Sequence, residues 1–365
     1  MDKFGVLFIV FSLFVCCAQG LLGKENVKLL GRWNKYGQSN WPMSGFETNV
    51  IGELGGILAV EFNQCDKCRY IVEAFVDGIS QGRFTVDPTN FTFNIPIPAN
   101  AKTSAQTIKL LKVSEADYPS SNGGSIGTMS INKITPSSGL RLTSTETSSS
   151  AKKLKFLVFG DSLTCGYGTL GKNPCNYTPE TESASDSWAS VTAKSFGAEL
   201  SQVTWSGKGV VRNYGDAKQT SSFTLPFYYN RTLGFNPTDP GFSYQEDAYW
   251  QPSAYIPDVV MVLLGSNDYN TQPFPDASVF IAGYTQFVQQ IQADYPTAKV
   301  VLLCSMELAN TPKCDNVQTT AQLNGVYFQL LDVPTQWDGC NGHPDVNQQA
   351  LMAQNNVIPL LKTFI

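Results

Sequence analysis

The sequence predicts an α/β unit with a parallel sheet, arranged as a three-layer sandwich and preceded by a separate all-β sandwich. Three observations carry this expectation. The chain has 365 residues, too long for one average domain. Its first part holds short apolar runs with partial period-two alternation, the mark of half-buried strands. After residue 153 the runs become almost continuously apolar and alternate with helical segments, as strands buried on both faces require.

In chain order, "MDKFGVLFIVFSLFVCCAQG" has a charged start, an apolar run from Phe4 to Cys17 and small residues at Ala18 and Gly20. It reads as a signal peptide over residues 1–20, too short for the roughly 20 apolar residues of a membrane span. Residues 24–142 form the expected sandwich, with "GGILAVEF", "RYIVEAFVDG", "RFTV", "NFTFNIPI" and "TIKLLKV" as its strands. Asp77-Gly78 and Asn122-Gly123-Gly124 punctuate them as turns. "TSTETSSSAKK", 143–153, is polar and Ser/Thr-rich, and reads as a linker. From 154 to 365, "LKFLVFG", "SQVTWS", "PDVVMVLLG" and "AKVVLLC" are the parallel strands. Phe280, Tyr284, Phe287, Val288, Ile291 and Tyr295 follow at helical spacing and mark one apolar helix face. A last helix is expected from Asp345, with Pro359 near its end.

Hydrophobic residues make up 42% and charged residues 15%, which suits a packed core rather than disorder. The net charge of −5 and the lack of any Lys/Arg cluster disfavour nucleic acid and anionic membrane as partners. Secretion would permit disulfides. Cys65 can bridge to Cys68, Cys165 and Cys175 flank one loop, Cys314 can reach Cys340, and Cys304 reads as the buried unpaired thiol. The spacing of CxxC without a second copy, and a single histidine, do not make a zinc site. Asn90, Asn176 and Asn230 stand in glycosylation sequons.

Four short blocks carry chemistry. Ser162 in "GDS" follows a strand directly, where a hydroxyl is exposed and backbone N–H groups are free. "WSGKG", 205–209, offers glycine N–H groups at Gly207 or Gly209. "LGSND", 264–268, puts the Asn267 amide at a third strand end. "GHP", 342–344, holds His343, the single histidine of the chain. A nucleophile, a base and oxyanion donors on separate loops form an acyl-transfer constellation.

These blocks resemble the SGNH (GDSL-type) hydrolases, whose motifs supply Ser, Gly, Asn and His. With "GRWNKYGQSNWPMSGFETNVIGE", "IKLLKVSEA", "GDSLTCGYG", "SGKG" and "GCNGHP", the chain is similar to carbohydrate esterase family 2 as a whole. The resemblance implies a jelly-roll sandwich ahead of the hydrolase unit and removal of acetyl groups from plant polysaccharides such as xylan. It implies Ser162 as nucleophile and His343 as base. The oxyanion donors would be the Ser162 and Gly207 N–H groups and the Asn267 amide. No cofactor or metal is implied, and a secreted monomer is expected.

One departure stands out. Where the family commonly has Asp-Trp-His-Pro, this chain has Asn341-Gly342-His343-Pro344. The acid that would orient the ring is missing. Asn341 or a backbone carbonyl could orient it instead, with Asp338 as a further substitute. Asp161 and Asp268, beside the site, read as braces that accept backbone N–H bonds. The segment 214–255 holds eleven aromatics, of which Trp250 is the candidate sugar contact. Trp41 belongs either to the sandwich core or to the seam between units. The alternatives to an acetyl esterase are a carbohydrate-binding protein that has lost catalysis and an esterase for longer acyl chains.

Overall fold

The computed structural model describes residues 26–52, 55–99, 105–118, 125–145, 153–235, 249–308, 310–332 and 336–365. The expected signal peptide and most of the expected linker lie outside the described residues, as do Phe242 and Tyr244 of the aromatic-rich segment.

Two antiparallel sheets face each other in the N-terminal part. One runs Val27–Leu30, Gly45–Ile51, Gln106–Lys112, Tyr70–Val76, Ile79–Val86, with Arg141–Thr143 also pairing on Gly45–Ile51. The other runs Gln38–Ser39, Met129–Pro136, Gly56–Phe62, Thr92–Ile97. Phe46, Val50, Leu58, Val60, Val72 and Leu110 are among the residues that fill the space between them. Alternate residues point inward, so a strand such as Thr92–Ile97 buries Phe93, Ile95 and Ile97 and exposes the rest.

The second part has one five-stranded sheet, all parallel, in the order Glu199–Thr204, Lys155–Gly160, Val259–Leu263, Lys299–Ser305, Tyr327–Leu331. One face packs Leu157, Phe159, Val260, Val262 and Leu302 against the helices Ala277–Asp294 and Lys313–Asn324. The other packs Phe156, Val158, Met261, Val301 and Leu303 against Trp188–Ser195 and the C-terminal helical segment. Helices on both faces make three layers, and they explain why these strands read as unbroken apolar runs. The long helix buries Phe280, Tyr284, Phe287, Val288 and Ile291, the face that the spacing predicts. The C-terminal helix starts at Val346 behind a capping box of Asp345 and Gln348. Among the described residues no helix is long and apolar enough to cross a membrane.

The two parts are joined by more than chain. Trp41, from the sandwich, is fully buried among Trp205 and Tyr228 of the α/β core, edge-on at 6.2 Å and 6.1 Å. It therefore belongs to the seam. Asn40 brackets it by exchanging two hydrogen bonds with the Gly234 backbone.

The cysteine pairs differ from the sequence expectation. Cys65–Cys68 forms, but Cys175 joins Cys340, Cys304 joins Cys314, and Cys165 is the free, buried thiol. Cys304 ends a buried strand, yet the following helix returns Cys314 to it. Separation along the chain does not reveal this, because the pairing is set by where the elements pack.

Candidate active site

The strand Lys155–Gly160 ends at the carboxyl edge of the sheet, and a short helix, Ser162–Cys165, begins at once. Asp161 is its N-cap and accepts the Leu163 N–H at 3.1 Å. Ser162 thus stands on the first residue of the helix, half-buried, with its own N–H free of any acceptor among the described residues.

His343 reaches it from the other end of the chain. Its Nε2 lies 2.8 Å from Ser162 Oγ, across 181 positions of sequence. Its Nδ1 lies 3.2 Å from the backbone carbonyl of Asn341. With the Nδ1 proton donated to that carbonyl, Nε2 is the acceptor for the serine proton. The carbonyl is aimed by unusual backbone: Asn341 and Gly342 both have positive φ, at 54° and 67°. The Asn341 side chain turns away and accepts the Tyr177 N–H at 2.6 Å. Asp338 is exposed and bonds Gln348 through its carboxylate, not the ring. Of the orienters considered from sequence, the backbone carbonyl is the one at the ring. Burial pushes the His343 pKa down to about 4, opposed by the carbonyls of Asn341 and Cys340.

The second loop, Trp205 to Gly209, follows the edge strand. Gly207 has φ 76° and an N–H without an acceptor among the described residues. The Gly209 N–H points to Asn213 Oδ1 at 3.3 Å, and a Cβ there would meet the Arg212 carbonyl at 1.9 Å. The free donor is therefore Gly207. Asn267, at the start of the helix Ser266–Asn270, is buried and uses its amide on Asp161 Oδ2 at 3.2 Å and the Lys208 carbonyl at 2.8 Å. Both of its N–H groups are engaged, so it must release one before it can donate to an oxyanion.

Asp161 and Asp268 are fully buried. Asp268 accepts the N–H groups of Val210, Val211 and Arg212, which fastens the loop behind Gly209. Burial raises Asp161 to about 7 and Asp268 to about 6, the backbone bonds pulling the other way. The brace geometry expected of both is present.

Beside the serine lies a cavity of about 300 Å³ lined by Glu115, Tyr167, Asn176, Tyr177, Trp205, Ser206 and Asn341. Tyr167 and Tyr177 stack at 3.9 Å, and Tyr167 lies 4.4 Å from the His343 ring. Sequence reasoning passed over both tyrosines; Tyr167 sits inside "GDSLTCGYG", two residues past Cys165, which was the available signal. Trp250 does not line this cavity. It lies under the Arg32 guanidinium at 5.0 Å and packs on the α/β core. Asn90, Asn176 and Asn230 are all exposed. Glu115, Cys165 and Glu182 bring three metal-type ligand atoms within 4.8 Å of one another. Their carboxylates are already hydrogen-bonded to Ser206 and Tyr177.

Ser162 Oγ is paired with the His343 imidazole, near N–H groups that have no acceptor among the described residues, at the carboxyl edge of a three-layer parallel sheet. The family model for the GDSL-like Lipase/Acylhydrolase family matches residues 158–332. The chain is 27% identical over 221 residues to Cellulase/esterase CelE of Acetivibrio thermocellus, covering 56% of this chain and 24% of that protein. It is 30% identical over 205 residues to an Acetylxylan esterase / glucomannan deacetylase of Cellvibrio japonicus, covering 55% of this chain and 54% of the relative. The chain thus spans about a quarter of the one relative's length and about half of the other's. A solved structure of a family two carbohydrate esterase from Clostridium thermocellum, in complex with cellohexaose, superposes with a TM-score of 0.73 at 24% identity, covering 92% of this chain and 98% of that one. A carbohydrate esterase family 2 enzyme from Corynascus thermopiles (Myceliophthora fergusii) gives 0.72 at 26% identity, covering 92% and 98%. The chain is thus similar to family 2 carbohydrate esterases in fold and in part of its sequence, and its residues 158–332 match the GDSL-like family model.

Proposed function

We propose that the protein is a secreted carbohydrate O-acetyl esterase that works through an acyl-enzyme on Ser162. The observation that carries this reading is the 2.8 Å contact between Ser162 Oγ and His343 Nε2, beside two uncommitted backbone N–H groups. His343 takes the serine proton as Oγ attacks the acetyl carbonyl. The oxyanion is received by the N–H groups of Ser162 and Gly207, and by Asn267 once it lets go of the Lys208 carbonyl. The imidazolium then returns its proton to the departing sugar hydroxyl. Water repeats the sequence to release acetate.

The substrate class is supported by the named relatives and by the cavity, whose lining sets stacked tyrosines beside Trp205, Ser206 and Asn341. Aromatic faces and convergent polar groups suit a sugar ring. The same polarity disfavours a long acyl chain. Loss of catalysis, motivated by the missing acid, loses force because a carbonyl occupies that position at the ring. No metal or organic cofactor enters these steps, the protein acts as a monomer, and the exposed sequons Asn90 and Asn230 would carry glycans on secretion, whereas a glycan on the third, Asn176, would crowd the cavity it lines.

The test is hydrolysis of 4-nitrophenyl acetate, and of acetylated xylan, mannan and chitin fragments, by the wild type and Ser162→Ala. Turnover that vanishes in the variant supports the reading. Turnover that persists, or a clear preference for octanoyl over acetyl esters, sinks it.

A further inference from the structure

We propose that Glu115, which comes from the β-sandwich, is a positioning residue for the oxyanion loop of the α/β unit. The inference rests on the esterase reading above. Glu115 is buried just past the strand Gln106–Lys112. Its Oε2 accepts the Ser206 N–H at 2.6 Å and lies 3.7 Å from Cys165 Sγ. Ser206 immediately precedes Gly207, and Cys165 ends the short helix that Ser162 begins. One carboxylate therefore touches both the loop that offers the Gly207 N–H and the helix that carries the nucleophile.

The anchor is needed because Gly207 adopts a left-handed conformation, and glycine does not by itself hold one backbone geometry. The Ser206 N–H belongs to the Trp205–Ser206 peptide plane, one residue before the plane that carries the Gly207 N–H; holding it leaves only the two Ser206 dihedrals free to swing the Gly207 N–H out of aim. Glu115 is itself held. The buried Lys112 ammonium donates to the carbonyls of Ser114 and Glu115, both at 2.6 Å, and the Glu115 N–H donates to Glu182 Oε1 at 3.0 Å. Glu182 Oε2 accepts the Tyr177 hydroxyl at 2.7 Å, and the Tyr177 N–H reaches Asn341 beside His343. The same cluster thus meets the histidine loop as well. Burial raises both carboxyl pKa values; the nearby Glu115 charge adds to the rise at Glu182, whereas the Ser206 hydrogen bonds and the Lys112 charge oppose it at Glu115.

What matters in this role is where the acceptor oxygen sits, not its charge. Glu115→Gln keeps an oxygen at the same reach and is expected to hold kcat on 4-nitrophenyl acetate within about threefold. Glu115→Asp keeps the charge but withdraws the oxygen by one methylene, and is expected to lower kcat at least about tenfold with KM within about threefold. Hydrogen exchange at the Ser206 amide gives the same ranking without turnover: unchanged in Gln, at least about tenfold faster in Asp. The exchange readout stands even if the protein hydrolyses no ester, so failure of the esterase reading is separable. An Asp variant equal to wild type, or a Gln variant that falls as far as Asp, overturns the proposal. Should Glu115→Asp not fold, Glu115→Met takes its place as the variant without an acceptor, judged by the same measurements.

Discussion

The two members of the proposed catalytic pair are held in contrasting ways. Ser162 sits on a helix whose cap, Asp161, is fully buried and shares the Asn267 amide. His343 sits on an exposed turn, Asn341-Gly342, whose shape comes from two left-handed residues and a cross-link from Cys340 to Cys175. Ser162 is placed by packing against the sheet. His343 is placed by backbone conformation, and its partner at Nδ1 is a neutral carbonyl rather than a carboxylate. The comparison teaches that a missing acid need not leave an imidazole unoriented, provided the turn that carries it is fixed.

The sharpest break comes from removing either member. Ser162→Ala and His343→Ala are each expected to lower kcat/KM by at least about 10³-fold, since the two act as a unit. A His343→Ala variant with full activity would refute the base assignment. Next in size is the acid limb of the pH profile. The reaction needs neutral imidazole, and burial lowers the pKa to about 4, so activity should persist below the ordinary histidine range. An inflection in kcat/KM at or above about 6.5 would show that the ring is less desolvated than the geometry implies.

The turn itself can be loosened. Replacing Cys175 and Cys340 by serine opens a separation of 165 residues and should cost about 5 kcal/mol on the chain-entropy account, with kcat down about tenfold. The same change at Cys304 and Cys314, ten residues apart, should cost about 3 kcal/mol and leave kcat unchanged. Thermal unfolding and turnover, measured on both double variants, decide whether the cross-link serves the base or only the fold. The smallest effect is expected from Asn341→Asp. Its side chain faces the Tyr177 N–H and not the ring, so kcat should change less than about threefold. A tenfold gain would mean the new carboxylate reaches Nδ1.

Much of this was legible in the sequence where side chains alone decide. Strand ends, the serine, the glycine loop and the lone histidine follow from apolar runs and short blocks. The strand Gly45–Ile51 did not announce itself, because Glu47, Thr48 and Asn49 are polar yet buried. One face meets the sandwich core, and on the other Glu47 pairs with Lys109 while Asn49 bonds Thr107 and the Ser144 carbonyl, so no apolar–polar alternation survives. The disulfide partners, the choice between Gly207 and Gly209, and the carbonyl behind His343 depend on φ values and on packing between distant elements. Composition and spacing do not encode these directly. Trp250 attracted attention as an aromatic in a loop, whereas Tyr167 and Tyr177 line the cavity because the disulfide-tethered segment folds back over the serine helix.

Trp41 has a bearing on how such a chain can be cut or recombined. Its indole is a plug in a socket made by Trp205, Tyr228 and Gly234, where even a Cβ at Gly234 would come within 2.9 Å of the ring. A fragment beginning at residue 153 would open that socket to water. Exchange of the N-terminal half between homologues would have to bring a matching tryptophan with it. The α/β unit is not a detachable cassette, because the sandwich supplies part of its interior.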